Sequence, residues 1–126
     1  MSGTILIADD EPNIRQLIAF TLRRRGYTVL EAEDGTVALE RIRRERPDLA
    51  VLDVMMPGLT GLAVTRQLGL EPETAAIPII LLSAKGQGSE IEAGLASGAR
   101  LYLVKPFSPR ELADRVAEVL AEPGMP

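Results

Sequence analysis

Short runs of apolar residues recur along the chain at fairly even spacing. There are five of them, each of strand length: Ile5–Ala8, Thr28–Ala32, Leu49–Leu52, Ile79–Leu82 and Leu101–Val104. The stretches between these runs are amphipathic, and the clearest follows the spacing of one helix face at Ile14, Leu17, Ile18, Thr21 and Leu22. The pattern therefore predicts strands that alternate with helices.

Residues that favour helix ends flank two of the amphipathic stretches. Pro12 suits the first turn of the first helix, and Gly26 suits its end. Ser108 is expected to be the N-cap of the last helix. The apolar positions of that helix are Leu112, Val116, Val119 and Leu120.

Strands that alternate with helices of about a dozen residues indicate βαβ units, and hence an α/β fold with a parallel sheet between two helix layers. The second run includes Thr28 and Glu31, which indicates an edge strand, whereas the first, third and fourth are almost continuously apolar. We predict a (βα)₅ three-layer sandwich with the flavodoxin-like strand order 2-1-3-4-5. We predict that residues 1–121 form one domain and that residues 122–126 form a flexible tail or the start of a linker.

Composition narrows the range of functions. A chain of 126 residues with 46% hydrophobic content builds one core, which excludes a second domain. A net charge of −4 without a long basic stripe argues against direct binding of nucleic acid. No apolar run reaches the roughly 20 residues that span a bilayer, so we expect no membrane contact by this chain. The absence of cysteine points by default to a cytoplasmic protein.

Polar residues follow four of the five predicted strands. Asp9 and Asp10 follow the first strand, Asp53 the third, Ser83 the fourth and Lys105 the fifth. The carboxyl ends of parallel strands lie at one edge of the sheet, and ligands bind where the strand order reverses, here between the first and third strands. These five side chains are therefore expected to converge.

The expected cluster has the chemistry of phosphoryl transfer. Clustered carboxylates repel one another, and a hard cation such as Mg²⁺ normally relieves that repulsion. Lys105 would supply a positive charge and Ser83 a hydrogen-bond donor. The chain has no histidine, so carboxylates, hydroxyls and lysine must carry any reaction. We therefore predict in-line attack by Asp53 on a phosphorus atom.

Each of these residues also has a plainer interpretation when it is taken alone. Asp-Asp-Glu-Pro at 9–12 is a good helix start in any protein, and Asp53 or Ser83 could serve only in a turn. Lys105 could be a solvated strand end. Their joint placement at one sheet edge favours the functional interpretation.

Four motifs in order carry a resemblance over nearly the whole chain. They are Asp-Asp-Glu at 9–11, Asp-Val-Met-Met-Pro-Gly at 53–58 with Gly61, Ser-Ala-Lys at 83–85 and Lys-Pro-Phe at 105–107. Together they resemble the receiver domain of bacterial two-component response regulators. The stretch 105–112 is especially similar to receivers attached to winged-helix DNA-binding domains of transcriptional regulators.

The resemblance implies a metal-dependent phosphoacceptor. Asp53 would take a phosphoryl group from a sensor histidine kinase or a phosphotransfer protein, and the phosphorylated chain would control an effector domain or partner protein. Mg²⁺, for which Mn²⁺ could substitute, would be bound by Asp10 and Asp53 directly, by Asp9 through water and by the backbone carbonyl of Met55. The domain would catalyse its own phosphorylation and dephosphorylation without being an enzyme for other substrates.

The resemblance also implies a conformational switch. Lys105 would pair with Asp53 and then with the phosphate, and its peptide bond to Pro106 would be cis. Ser83 would move toward the phosphate, and Tyr102 would rotate from an exposed to a buried position. From its residue type alone, Tyr102 on a strand is more often a packing residue.

Two features concern regulation. Many winged-helix-linked receivers carry two acidic residues that help to form a phosphorylation-dependent dimer, at the place where this chain has Arg100 and Leu101. Leu101 is therefore either a contact for another partner or an extra core residue. Met55 and Lys85 are expected to flank the phosphoryl group, and since neither is a natural general base, the phosphoryl group should last minutes or longer.

Three other classes of protein remain as alternatives. An aspartate-dependent Mg²⁺ phosphohydrolase would carry a second acid two residues after the nucleophile, where this chain has Met55. A receiver-like module could bind proteins without being phosphorylated. A flavin carrier would need a Ser/Thr-rich phosphate loop and aromatic rings, and the chain has only two Phe, two Tyr and no Trp.

Overall fold

The computed structural model of the chain describes residues 3–84, 96 and 98–122. Along these residues the elements are β1 (Thr4–Ala8), α1 (Pro12–Arg24), β2 (Thr28–Ala32), α2 (Gly35–Glu45), β3 (Leu49–Asp53), α3 (Gly61–Leu70), β4 (Ile79–Ser83), β5 (Leu101–Val104) and α4 (Pro109–Leu120). Each predicted strand is present to within one residue at either end. The helix expected between β4 and β5 would fall mostly on residues outside the described ranges. None of the described helices is both long enough and apolar enough to cross a membrane.

The five strands form one parallel sheet in the order β2-β1-β3-β4-β5, which confirms the prediction. β1 pairs with strands on both sides, so Ala8 lies beside Ala32 of β2 and beside Leu52 of β3. β2 is an edge strand, and its Thr28 is exposed. The strand order reverses between β1 and β3, and this reversal opens a crevice at their carboxyl ends.

Helices cover both faces of the sheet. In β1, Ile5 and Ile7 face one side and Leu6 and Ala8 face the other, because side chains alternate along a strand. The first side packs against buried residues of α1 and α4, namely Ile18, Ala19, Leu22, Leu112, Ala113, Val116 and Val119. The second side packs against buried residues of α2 and α3, namely Ala38, Leu39, Ile42, Val64 and Leu68. Burial on both faces is why the central strands are continuously apolar.

The helix ends follow the sequence signals. The hydroxyl of Ser108 accepts a hydrogen bond from the N–H of Glu111 at 3.0 Å, which confirms Ser108 as the N-cap of α4. Asp34 and Thr60 cap α2 and α3 in the same way. Gly26 lies just after α1 with φ at 97°, a left-handed conformation that favours glycine, and this confirms it as the helix stop.

The residues that replace the expected acidic pair before Tyr102 have partners within the chain. Arg100 forms an ion pair with Glu122, which follows α4. Leu101 is half-buried and packs against the cluster beneath α1 and α4. The structure therefore favours the interpretation of Leu101 as an extra core residue.

Arg46 at the end of α2 has the left-handed backbone conformation, with φ at 47° and ψ at 65°. A side chain costs about 1 kcal/mol or more in this region, and glycine avoids that cost. We predict that Arg46→Gly stabilises the protein by about 0.5–1 kcal/mol in urea unfolding. Arg46→Ala, which removes the charge but keeps the Cβ atom, should give no such gain, and equal effects of the two variants would contradict the prediction.

Candidate functional site

The carboxyl ends of the strands bring together most of the predicted site residues. Asp9 follows β1, Asp53 ends β3, Ser83 ends β4 and Lys105 follows β5. Asp53 is paired in register with Leu82, so the ends of β3 and β4 lie side by side. The register of a parallel sheet therefore places these residues at one edge without any special feature of the loops.

Three carboxylates form the centre of the site. One oxygen each from Asp9, Asp10 and Asp53 lie within 4.8 Å of one another. Asp9 and Asp53 are buried, whereas Asp10 is exposed to solvent. An all-oxygen donor set that is open on one side fits a hard cation that keeps part of its water shell, which is the preference of Mg²⁺.

Lys105 reaches this cluster from the loop after β5. Its Nζ donates hydrogen bonds to Asp53 Oδ2 at 3.1 Å and to Asp9 Oδ2 at 3.4 Å. Burial disfavours the charge on the lysine, but attraction by Asp53 and Asp9 outweighs it, so the pKa of Lys105 is raised. The lysine therefore stays protonated and partly neutralises the buried carboxylates.

The ionised form of Asp53 is disfavoured by its surroundings. Burial and the negative charge of Asp9 raise the pKa of Asp53 to about 6, against the opposing effects of Lys105 and of the Met55 N–H. The Met55 N–H donates to Asp53 Oδ1 at 3.3 Å, while Oδ2 contacts Lys105. Both oxygens of this carboxylate are thus oriented.

Asp9 is held by its own loop and by a residue that the sequence analysis missed. The N–H of Glu11 donates to Asp9 Oδ1 at 2.9 Å. Nη1 of Arg15 donates to the backbone carbonyl of Asp9 at 2.8 Å, and its Nε forms an ion pair with Glu31 at 3.2 Å. Arg15 lies near the N-terminal end of α1, where the helix dipole is positive and a cation is unfavourable without a partner. Its position in the sequence therefore indicated that Arg15 needs a partner.

The remaining predicted residues lie around the cluster in different ways. Ser83 is fully buried, and its Oγ donates to the carbonyl of Ala84 at 3.3 Å. Tyr102 is half-buried on the side of the sheet that α2 and α3 cover. Its hydroxyl is fully buried and has no hydrogen-bond partner among the described residues. The hydroxyl end of the Tyr102 side chain therefore points into the protein in this structure.

Three further predictions can be located on the chain. The Met55 side chain is 55% exposed beside Asp53, where it could flank a phosphoryl group. The peptide bond from Lys105 to Pro106 is cis, as the resemblance implied. Lys85 lies outside the described residues.

A doubly wound parallel sheet with three carboxylates and a lysine at its switch point is the arrangement that the resemblance to receiver domains implied. The match to a family model then identifies the chain: it belongs to the response regulator receiver domain family, whose model matches residues 5–117. It is thus a signalling domain of two-component systems, as the sequence motifs predicted.

The relatives of the chain include transcriptional regulators. It is 47% identical to the phosphate regulon transcriptional regulatory protein PhoB of Pseudomonas aeruginosa, over 96% of this chain and 53% of that protein. It is 44% identical to the alkaline phosphatase synthesis transcriptional regulatory protein PhoP of Bacillus subtilis, over 95% of this chain and 49% of that protein. The chain thus spans about half the length of the curated relatives it matches.

Two solved structures of similar proteins share the fold over nearly their full length. A putative response regulator from Chloroflexus aurantiacus superimposes with a TM-score of 0.91 at 38% identity, covering 97% of this chain and all of that one. The chemotaxis response regulator CheY4 of Vibrio cholerae superimposes with a TM-score of 0.88 at 33% identity, covering 94% of this chain and 99% of that one.

The raised pKa of Asp53 predicts a pH-dependent cost in stability. The folded protein holds a proton on Asp53 more tightly than the unfolded chain, so this carboxyl lowers the free energy of unfolding as the pH rises from about 4 to about 6. We predict that Asp53→Asn stabilises the metal-free protein by about 2–3 kcal/mol at pH 7 and above, because the neutral amide avoids that cost. The gain should disappear toward pH 4 in urea unfolding.

The matched control for this experiment is Asp114→Asn. Asp114 is exposed on α4, far along the chain from the cluster, and pairs with Arg25 at 2.8 Å. An exposed ion pair contributes less than about 1 kcal/mol, so the control should change stability little. A gain for Asp53→Asn that is the same at all pH values would contradict the assignment of its cause.

Proposed function

We propose that Asp53 is the phosphoacceptor of this receiver domain and that Mg²⁺ binds beside it. The observation that carries the proposal is the 3.1 Å contact between Lys105 Nζ and Asp53 Oδ2, at the place where three carboxylates face one another. A fixed cation beside the nucleophile neutralises part of the charge that an incoming phosphoryl group brings. The other Asp53 oxygen is oriented by the N–H of Met55.

In the proposed reaction, a carboxylate oxygen of Asp53 attacks phosphorus in line with the leaving group. The new oxygen–phosphorus bond forms as the bond to the donor breaks, and the electron pair of that bond leaves with the donor. The donor is a phosphorylated histidine of a kinase or phosphotransfer protein, or acetyl phosphate in the test tube. A pKa of about 6 leaves Asp53 mostly ionised at neutral pH, as a nucleophile must be.

The metal would be held by oxygen ligands. Asp10 and Asp53 would ligate it directly, Asp9 through water and Met55 through its backbone carbonyl, and Mn²⁺ would serve as well because it also prefers oxygen ligands. A bound Mg²⁺ would neutralise charge on the carboxylates and on the phosphoryl oxygens. Lys105 would contact one phosphoryl oxygen after transfer, and Ser83 would donate a hydrogen bond to another.

The proposed switch joins Ser83 to Tyr102. Movement of Ser83 toward the phosphoryl group would favour the conformation in which the Tyr102 ring lies inward. The buried Tyr102 hydroxyl in this structure corresponds to that inward position. Phosphorylation would then act by shifting a population between two states.

The relatives and the length of the match support a proposal for the partners. Both PhoB and PhoP are named as transcriptional regulatory proteins and are about twice the length of this chain. We infer that residues 1–121 act as a receiver that a sensor histidine kinase or phosphotransfer protein phosphorylates, and that controls a winged-helix effector or another partner. A cytoplasmic location fits this function and the absence of cysteine.

The first test is the intact mass of the protein after incubation with acetyl phosphate and Mg²⁺. We predict one phosphate adduct in the wild-type chain and in Asp114→Asn, and none in Asp53→Asn, because only the last variant lacks the nucleophile. Removal of Mg²⁺ by a chelator should abolish the adduct.

Two other results would redirect the proposal. A folded wild-type chain that takes up no phosphate, even from a kinase, would favour a binding module that works without phosphorylation. Continued hydrolysis of added phosphoesters would favour the phosphohydrolase class instead.

The side chains beside Asp53 predict a slow loss of the phosphoryl group. Met55 is exposed at the site, and its thioether cannot activate water as a general base. We predict that the adduct on Asp53 lasts minutes or longer after acetyl phosphate is removed, as followed by intact mass. Introduction of a base by Met55→Asp should shorten this time, and loss within seconds in the wild-type chain would contradict the prediction.

A further inference from the structure

The loop of residues 54–60, which connects β3 to α3, rests against the first residue of α2. The N–H of Gly35 donates a hydrogen bond to the carbonyl of Pro57 at 3.3 Å. A Cβ atom built on Gly35 would lie 1.8 Å from the carbonyl oxygen of Leu59 and 2.6 Å from its carbonyl carbon. Only a residue without a side chain allows this approach of two backbones.

A second glycine holds the other end of the same loop. The N–H of Gly61 donates to the carbonyl of Val54 at 2.9 Å. A Cβ atom on Gly61 would lie 2.4 Å from the backbone carbonyl oxygen of Asp53. The loop that carries Met55 is therefore packed against backbone at both ends, and its position depends on both contacts.

If a side chain were added to Gly35, the loop would move rather than α2. The helix is fixed to the sheet by Ala38 and Ile42, which are fully buried. Pro57 and Leu59, in contrast, are exposed. Because real Cβ atoms essentially never approach a neighbour closer than 3.0 Å, the 1.8 Å contact would displace the Leu59 carbonyl by more than 1 Å.

We propose that Gly35 is a positioning residue for the phosphorylation site, although it lies on α2 and has no side chain. Its missing Cβ atom sets how closely the loop of residues 54–60 approaches the sheet. This position determines where the Met55 N–H meets Asp53 Oδ1 and where the Met55 carbonyl, a proposed metal ligand, is placed. The part of this inference that concerns Mg²⁺ rests on the proposed function. The part that concerns the contact between the Met55 N–H and Asp53 does not.

The experiment compares Gly35→Ala with a matched control. Gly69→Ala makes the same chemical change in α3, where a Cβ atom would meet nothing within 4 Å. Two quantities are measured in each protein: the amide resonance of Met55 without metal, and the Mg²⁺ affinity from the rise in unfolding midpoint with added Mg²⁺. The rise in unfolding midpoint is measured for each variant against the same variant without Mg²⁺. A loss of stability is therefore not mistaken for a loss of the metal site.

We expect Gly35→Ala to shift the Met55 amide resonance and to weaken Mg²⁺ binding about 10-fold, which is typical when groups that orient ligands are disturbed. Gly69→Ala should match the wild-type chain in both. If Gly35→Ala does not fold, the Met55 resonance is compared between Asp53→Asn and Asp53→Asn/Gly35→Ala, because the first substitution should add stability.

The outcomes separate the two hypotheses. An unchanged Met55 resonance, or an unchanged Mg²⁺ affinity in a folded Gly35→Ala variant, would overturn the positioning role of Gly35. If the wild-type chain gains no stability from Mg²⁺, the proposed metal site fails, and the Met55 resonance alone decides whether Gly35 positions the loop.

Discussion

Two buried carboxylates, Asp9 and Asp53, face each other at one edge of the sheet, and Lys105 lies between them and the fifth strand. Burial and repulsion by Asp9 together raise the pKa of Asp53 to about 6. Asp53 is therefore mostly ionised at neutral pH, although its surroundings disfavour that charge. In the proposed function, a bound Mg²⁺ would relieve this cost. The proposed chemistry of the domain depends on this clustered charge.

The rest of the fold keeps these charges in place. Burial of the sheet on both faces leaves the strands little freedom, and the parallel register aligns their carboxyl ends. Arg15 ties the backbone at Asp9 to Glu31 on the neighbouring strand. Backbone contacts at Gly35 and Gly61 fix the loop after Asp53. The sheet and the close-packed loops thus hold the clustered carboxylates together against their mutual repulsion.

Similarity to known proteins places the domain in two-component signalling. The receiver fold is shared along nearly the full length of the two solved regulators described above, whereas the two transcriptional relatives are about twice as long as this chain. The receiver domain is therefore the part that this chain shares with these relatives. Arg100 pairs with Glu122, and Leu101 packs against the core. The two residues before Tyr102 therefore differ from the acidic pair expected at that position.

The sequence alone determined the strands, their order, the cap at Ser108 and the residues at the strand ends, because these depend on periodicity and on the geometry common to all parallel sheets. The position of Arg15 near the start of α1 indicated that it needs a partner, but not that the partner is the carbonyl of Asp9, since a helix residue and a strand end meet only after packing. Nor could the sequence reveal the role of Gly35, because a glycine in sequence looks the same at a turn, a helix start or a close backbone contact. Only the tertiary structure decided these points and the raised pKa of Asp53. The physical reason is that burial, and short distances between groups that are remote in sequence, exist only in the folded chain.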